Sequence, residues 1–331
     1  MAGEGHRFGF VDVGHRGTIA VTGEELLGDR MSVPSGIGII DTMMGTRAGQ
    51  IAKEQNYAPL RLGQLKDADS QKMNFPAQYM FKDVPWSDQA RGASGAVDEP
   101  AQGADLLLPL MDKWGIETSM VGVSPANEIA QKALIDHPDR FVGAFEIDPN
   151  KGVDGIREMV HMYEKWGIKA ITAFPCGYFP QVPINDKKMY PFYAKCCELD
   201  IPIFCCAGIP GPRVPFKPQH VELIDEVMYD FPELTFVTRH GCEPWTALAV
   251  KLMLKWPGLH YSTSAFAPKH YPKDIIDYAN TRGADKIIYA GYFPMGMHID
   301  RIMTDMKNVP FKDEVWPKFL RENARRVLKL S

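Results

Sequence analysis

The densest group of reactive side chains in this sequence is Arg239-His240-Gly241-Cys242-Glu243-Pro244-Trp245, followed downstream by Tyr289-Ala290-Gly291-Tyr292-Phe293-Pro294. A histidine in a pocket titrates near neutral pH and serves as a general acid or base, and arginine grips a carboxylate through two parallel hydrogen bonds. His240 beside Arg239 therefore suits hydrolysis or decarboxylation of a small carboxylate. Tyr292, Cys206, Asp41 and Glu243 are the candidates to assist His240, while Arg213, Phe174 and Ser264 join Arg239 as candidate substrate contacts. Met43, Cys206 and His240 also make a thioether, thiolate and imidazole set suited to Cu(I). Each residue has a plainer structural reading. Free cysteines are mostly small buried hydrophobes and methionines fill gaps. Tyr292 can plug a cavity with its hydroxyl bonded to His240. Arg239 can be pinned by Glu243 or Asp41. Cys242 shares a loop with His240, an awkward geometry for a Cys-His dyad, and no G-x-S-x-G elbow is present.

Such residues, far apart in the chain, need a scaffold that gathers them. From Gly36 onward, short β-branched runs alternate with amphipathic stretches of helix length, the pattern of βα units on a parallel sheet. Strands are expected over residues 36–41, 118–123, 141–146, 169–174, 201–207, 234–238, 259–262 and 286–290. Helices are expected between them, among them 153–166 stopped by Gly167, with a closing helix over 317–330. Eight such units, with no Gly-rich phosphate loop, point to an α/β fold of the (β/α)8 TIM-barrel type rather than a doubly wound sheet. A barrel builds its site at the C-terminal strand ends. Those ends carry Asp41, Thr42, Met43 and Gly45; Glu146 and Asp148; Phe174 and Cys176; Cys205, Cys206 and Arg213; Arg239, His240 and Glu243; residues 262–266; and Tyr292. The polar stretch 46–103 after the first strand is expected to be an insertion, a lid or partner surface on the barrel domain 36–331. Residues 1–35 are expected to be an N-terminal extension, with Met31 a second candidate start.

Several phrases, in order, carry a family resemblance: Ile201-Pro202 with Ala207-Gly208-Ile209-Pro210-Gly211; His240 with Glu243-Pro244-Trp245; Ser262-Thr263-Ser264-Ala265-Phe266; residues 286–294; and Asn323-Ala324-Arg325-Arg326-Val327-Leu328. From about Gly36 to the C-terminus the chain resembles the amidohydrolase-related family, the metal-dependent hydrolases and decarboxylases similar to aminocarboxymuconate-semialdehyde decarboxylase. The resemblance implies a metal site, and this chain departs from it. The family's D-x-H-x-H reads Asp41-Thr42-Met43-Met44-Gly45, Cys206 stands for the strand-five histidine, and Tyr292 stands for the strand-eight aspartate. Only His240 remains, and a divalent site needs three or four N/O donors. The expectation is therefore a barrel without the standard metal and without a cofactor, serving as a non-catalytic binding or accessory protein. The alternatives are a metal-independent hydrolase or decarboxylase using His240, or soft-metal binding. A second resemblance, to amidohydrolase-like proteins of actinobacterial alkane and propane monooxygenase gene clusters, implies an accessory or maturation role. Barrels of the family pair through outer helices and loops, which implies a homo-oligomer.

Composition bounds the partners. A net charge of −4 and scattered basic residues give no field for nucleic acid or anionic membrane. The longest apolar runs fall short of the roughly 20 residues of a membrane helix, and the first thirty residues do not read as a secretory signal. The six cysteines include two adjacent pairs and no C-x-x-C spacing, which suits a reduced, cytoplasmic setting. The expected partner is a small carboxylate ligand or a protein.

Overall fold

The computed structural model describes residues 36–46, 103–294 and 297–331. The expected N-terminal extension, and residues 47–102 of the expected insertion, lie outside the described residues. The ends of that insertion meet, since Gly103 N–H donates to the Thr46 carbonyl (2.8 Å).

Eight strands pair in sequence order, each parallel to the next. They are β1 Ile39–Met44, β2 Ile116–Gly122, β3 Phe141–Glu146, β4 Ala170–Ala173, β5 Ile203–Cys206, β6 Phe236–Arg239, β7 Leu259–Ser262 and β8 Ile287–Ile288. Helices α1 Gly103–Trp114, α2 Glu128–Asp136, α3 Val153–Trp166, α4 Tyr190–Leu199, α5 Leu223–Asp230, α6 Thr246–Lys255, α7 Lys273–Tyr278 and α8 Ile299–Met306 alternate with them. The expected (β/α)8 barrel is the fold observed. Helices over a parallel sheet bury both of its faces, so β1, β4, β5 and β7 are buried at every position. Local chemistry sets the helix ends. The Asn127 side chain accepts from Ala130 N–H at the start of α2 (3.1 Å). Gly167, at φ 57, ends α3 with its N–H on the Tyr163 carbonyl. The expected closing helix breaks into Val315–Pro317, a π-helical stretch Lys318–Glu322, and Asn323–Val327.

That closing segment plugs one end of the barrel. Ile40, Met120, Ala144, Ala170, Phe204, Val237 and Ile288 form a cluster with Ala324, Val327 and Leu328, separate from the larger core between strands and helices. Strand side chains alternate between faces. The residues two further along β3, β5 and β6, which are Glu146, Cys206 and Arg239, therefore project into the opposite, C-terminal mouth.

The seam between β8 and β1 is made differently from the other seven. The ladder of β8 covers only Ile287–Ile288, shorter than the expected 286–290. Beyond it a single Met44–Phe293 bridge, with Gly45 N–H on the Phe293 carbonyl (2.8 Å), closes the ring. A long backbone bond from Thr42 N–H to the Tyr289 carbonyl (3.4 Å) is joined by side-chain links: Thr42 Oγ1 donates to the same carbonyl (2.9 Å), and Asp41 Oδ1 accepts from Gly291 N–H (2.8 Å).

Candidate functional site at the barrel mouth

The turn after β6 shapes the site. His240, Gly241 and Cys242 adopt φ values of 64°, 92° and 59°, three successive left-handed residues of which two carry a Cβ. His240 N–H donates to Ser264 Oγ (3.1 Å), and the same oxygen lies 3.1 Å from the ring Nδ1. Burial, and then the charge of Arg239, hold the His240 pKa well below the ordinary histidine range, against the pull of Ser264. At neutral pH the ring is thus uncharged. Replacing Ser264 by alanine should remove both contacts to His240 and cost about 1 kcal/mol of stability. Chemical denaturation checks this, and unchanged stability would mean that the two hydrogen bonds contribute nothing.

Around His240 the mouth gathers most, but not all, of the expected residues. Tyr292 is buried, and its ring meets His240 edge to face (centroids 5.3 Å apart, 77°). Burial raises its pKa, so it remains a phenol. Cys206 is buried, and burial pushes its pKa up to about 12 despite the opposing charge of Arg239. At neutral pH it is a thiol, not an activated nucleophile. Arg239 is half-buried and directs Nη2 at Met43 Sδ (3.3 Å). Neither Glu243 nor Asp41 pins it. Glu243 is half-buried and raised by burial, with His270 as its opposing charge. Asp41 lies in the β1–β8 seam, where Oδ1 accepts from Met43 N–H (2.9 Å) as well as Gly291 N–H. Phe174 is buried, and its N–H donates to the Tyr178 hydroxyl (3.2 Å). Arg213 is exposed on the loop after β5.

Two further residues belong to the site by position: Glu146, expected at a strand end but given no role, and Gln219. Glu146 ends β3, half-buried, its pKa raised by burial while Arg239 draws it down. The signal was present, because a charged residue closing a strand of otherwise apolar residues needs a reason to be there. Gln219 is buried and ties the loops after β4 and β5: Oε1 accepts from Cys176 N–H (3.2 Å) and Nε2 donates to the Gly208 carbonyl (3.3 Å). Nothing in its sequence context marks it.

The resemblance implies a metal, and the donors present can be compared with what one needs. Among the described residues no group of three or more His, Cys, Asp and Glu side chains converges on a point where an ion would sit. With a phenol, a thiol and a thioether at the mouth, the described donor set does not fit a hard divalent cation.

A family model described as an amidohydrolase matches residues 114–330, well over half of the chain. The chain belongs to the amidohydrolase family. Among solved structures, this amidohydrolase superposes on a TIM-barrel protein of Bordetella bronchiseptica with 21% identity and TM-score 0.64, covering 88% of this chain and 98% of that one. A 2,6-dihydroxybenzoate decarboxylase matches at 16% identity and TM-score 0.60, over 88% and 99%. A manganese-bound 5-carboxyvanillate decarboxylase of Novosphingobium aromaticivorans matches at 16% and 0.62, over 89% and 97%. At these identities the likeness establishes the barrel alone. No curated protein matches the chain. Among the described residues no helix is long and apolar enough to cross a membrane.

Proposed function

We propose that this amidohydrolase barrel binds a small carboxylate at its mouth without a divalent metal, as a binding or accessory protein rather than a hydrolase. The observation that carries the reading is Arg239. Its guanidinium is half-buried at the end of β6 and, among the described residues, forms no ion pair; its one hydrogen-bond acceptor is the weak Met43 sulfur. A partly desolvated cation without an anion is costly, and a carboxylate ligand would supply the missing partner. His240, neutral, adds a neighbouring ring N–H. A pKa held well below the ordinary range makes the ring a weak base, which argues against acid–base turnover.

Calorimetric titration with a panel of small aliphatic and aromatic acids tests the reading, and Arg239→Ala is expected to weaken binding roughly 10- to 100-fold. The panel includes 2,6-dihydroxybenzoate and 5-carboxyvanillate, the acids named for two of the fold relatives. Release of carbon dioxide from either, without added metal, would replace the binding reading with a metal-independent decarboxylase. Stoichiometric zinc or manganese in the purified protein, lost in His240→Ala, would overturn the metal-free reading.

A further inference from the structure

Arg239 has a counterpart across the mouth. Glu146 projects from β3 toward the same space, and its charge is felt there: Arg239 lowers the Glu146 pKa, and Glu146 and Arg239 act with opposite sign on Cys206. Yet the two do not touch. No ion pair joins them, and Glu146 receives no hydrogen bond from any described residue. Half-buried opposite charges inside one protein normally close on each other or find other partners. Here the backbone holds them on separate strands, β3 and β6, with β4 and β5 between them in the sheet. The arrangement leaves a cation and an anion at the same barrel mouth, each half-buried and with no direct ion pair between them.

We propose that the ligand of this mouth is a zwitterion, a carboxylate that also carries a protonated amine, bound with its carboxylate on Arg239 and its ammonium on Glu146. The inference rests on the carboxylate-binding reading and names its substrate class. An ammonium suits the second contact better than a hydroxyl does. Its hydrogen bond to a carboxylate is charge-assisted, and Asp148 adds negative charge on the same side, enough to raise Glu146 further. Asp148 itself is engaged by Asn150 N–H (3.0 Å), so Glu146 is the group left to receive the ligand. Burial raises the Glu146 pKa against the pull of Arg239, and an incoming ammonium would lower it again.

The test is titration calorimetry on the full chain with matched pairs: glycine, β-alanine, γ-aminobutyrate and ε-aminocaproate against acetate, propionate, butyrate and caproate. At the best-fitting length the amino acid is expected to bind at least about tenfold tighter than its plain acid, the gain of one charge-assisted contact. Glu146→Gln, nearly isosteric, is expected to erase that preference while the plain acid still binds in an Arg239-dependent way, which also shows that the variant is folded. Arg239→Ala is expected to weaken both members of each pair. Arg239-dependent binding of acids with no preference for the amine would overturn the zwitterion and leave the carboxylate reading standing. An amine preference that survives Glu146→Gln would equally overturn it. Absence of any Arg239-dependent binding would overturn both.

Discussion

Gly208→Ala is expected to melt roughly 4–5 °C below the wild type. Gly208 lies just past β5 at φ +93°, a backbone conformation that a Cβ opposes by about 1–2 kcal/mol. Its surroundings add more. A Cβ built there would stand 2.8 Å from the Cys242 carbonyl carbon, 2.9 Å from Cys242 Cα and 2.9 Å from Glu243 N, where the loops after β5 and β6 press together. All three obstacles are backbone atoms of the strained turn that orients His240, so no side-chain rotation relieves the clash. The sum is about 3 kcal/mol, and the two loops that frame Cys206 and His240 must separate. Gly115→Ala is the control, because Gly115 has a φ of +68° with nothing within 4 Å of its Cβ position. It should lose only the conformational share, about 1 kcal/mol. Equal melting shifts in the two variants would mean that the close approach of the loops contributes nothing.

The barrel was legible because its signals repeat. Segments 153–166 and 259–262 were expected at the bounds observed, the first because Gly152 and Gly167 bracket an amphipathic run, the second because a short apolar run sits between Pro257-Gly258 and a polar loop. The phrases around His240 and Ser264 were likewise readable as strand ends, and the structure joins them by a pair of hydrogen bonds. The last strand was harder. An apolar run at 286–290 reads as a full strand, but the ladder to β7 stops at Ile288, beyond which Thr263 Oγ1 accepts from Ala290 N–H (3.2 Å), and side chains of Asp41 and Thr42 contribute links to β1. Side-chain substitution for a backbone ladder has no period and leaves no mark on hydrophobic pattern.

The candidate site was legible in its members and less so in their electrical state. Residue type suggested an acid–base His240 and a reactive Cys206, whereas burial and the Arg239 charge leave the first neutral and the second protonated. Those properties depend on distance and desolvation, which spacing along the chain does not encode. Glu146 shows the converse. Alternation along β3 placed it on the inward face, but its significance comes from Arg239 three strands away.

Asp41→Asn is expected to remove a part of the stability that is lost as pH rises between about 4 and 7, a part that the depressed pKa of His240 opposes in the wild type. Asp41 is 1% exposed, and while Oδ1 accepts from Met43 and Gly291 amides, Oδ2 has no hydrogen-bond partner among the described residues. The neighbouring Tyr289 hydroxyl donates to Met303 Sδ (3.5 Å) and also helps to hold the Asp41 carboxyl down. Gly291 permits this packing, since a Cβ there would lie 2.5 Å from Oδ2. Burial raises the carboxyl from 3.8 to about 7, against the lowering effect of the Gly291 and Met43 amides and the Tyr289 hydroxyl. The folded state therefore holds a proton that the unfolded chain releases above 3.8. Stability from this group is complete below that value, declines as pH rises toward about 7, and is lost above it, a swing of roughly 4 kcal/mol at most. Asparagine keeps the Oδ1 acceptor for both amides and replaces the proton-bearing oxygen with an amide that never ionises. In chemical denaturation at pH 5, 6, 7 and 8, the stability of the variant relative to the wild type should thus rise with pH, the variant being the more stable at pH 8. Parallel curves would place the titration elsewhere and leave Asp41 as no more than a fixed acceptor closing the β1–β8 seam.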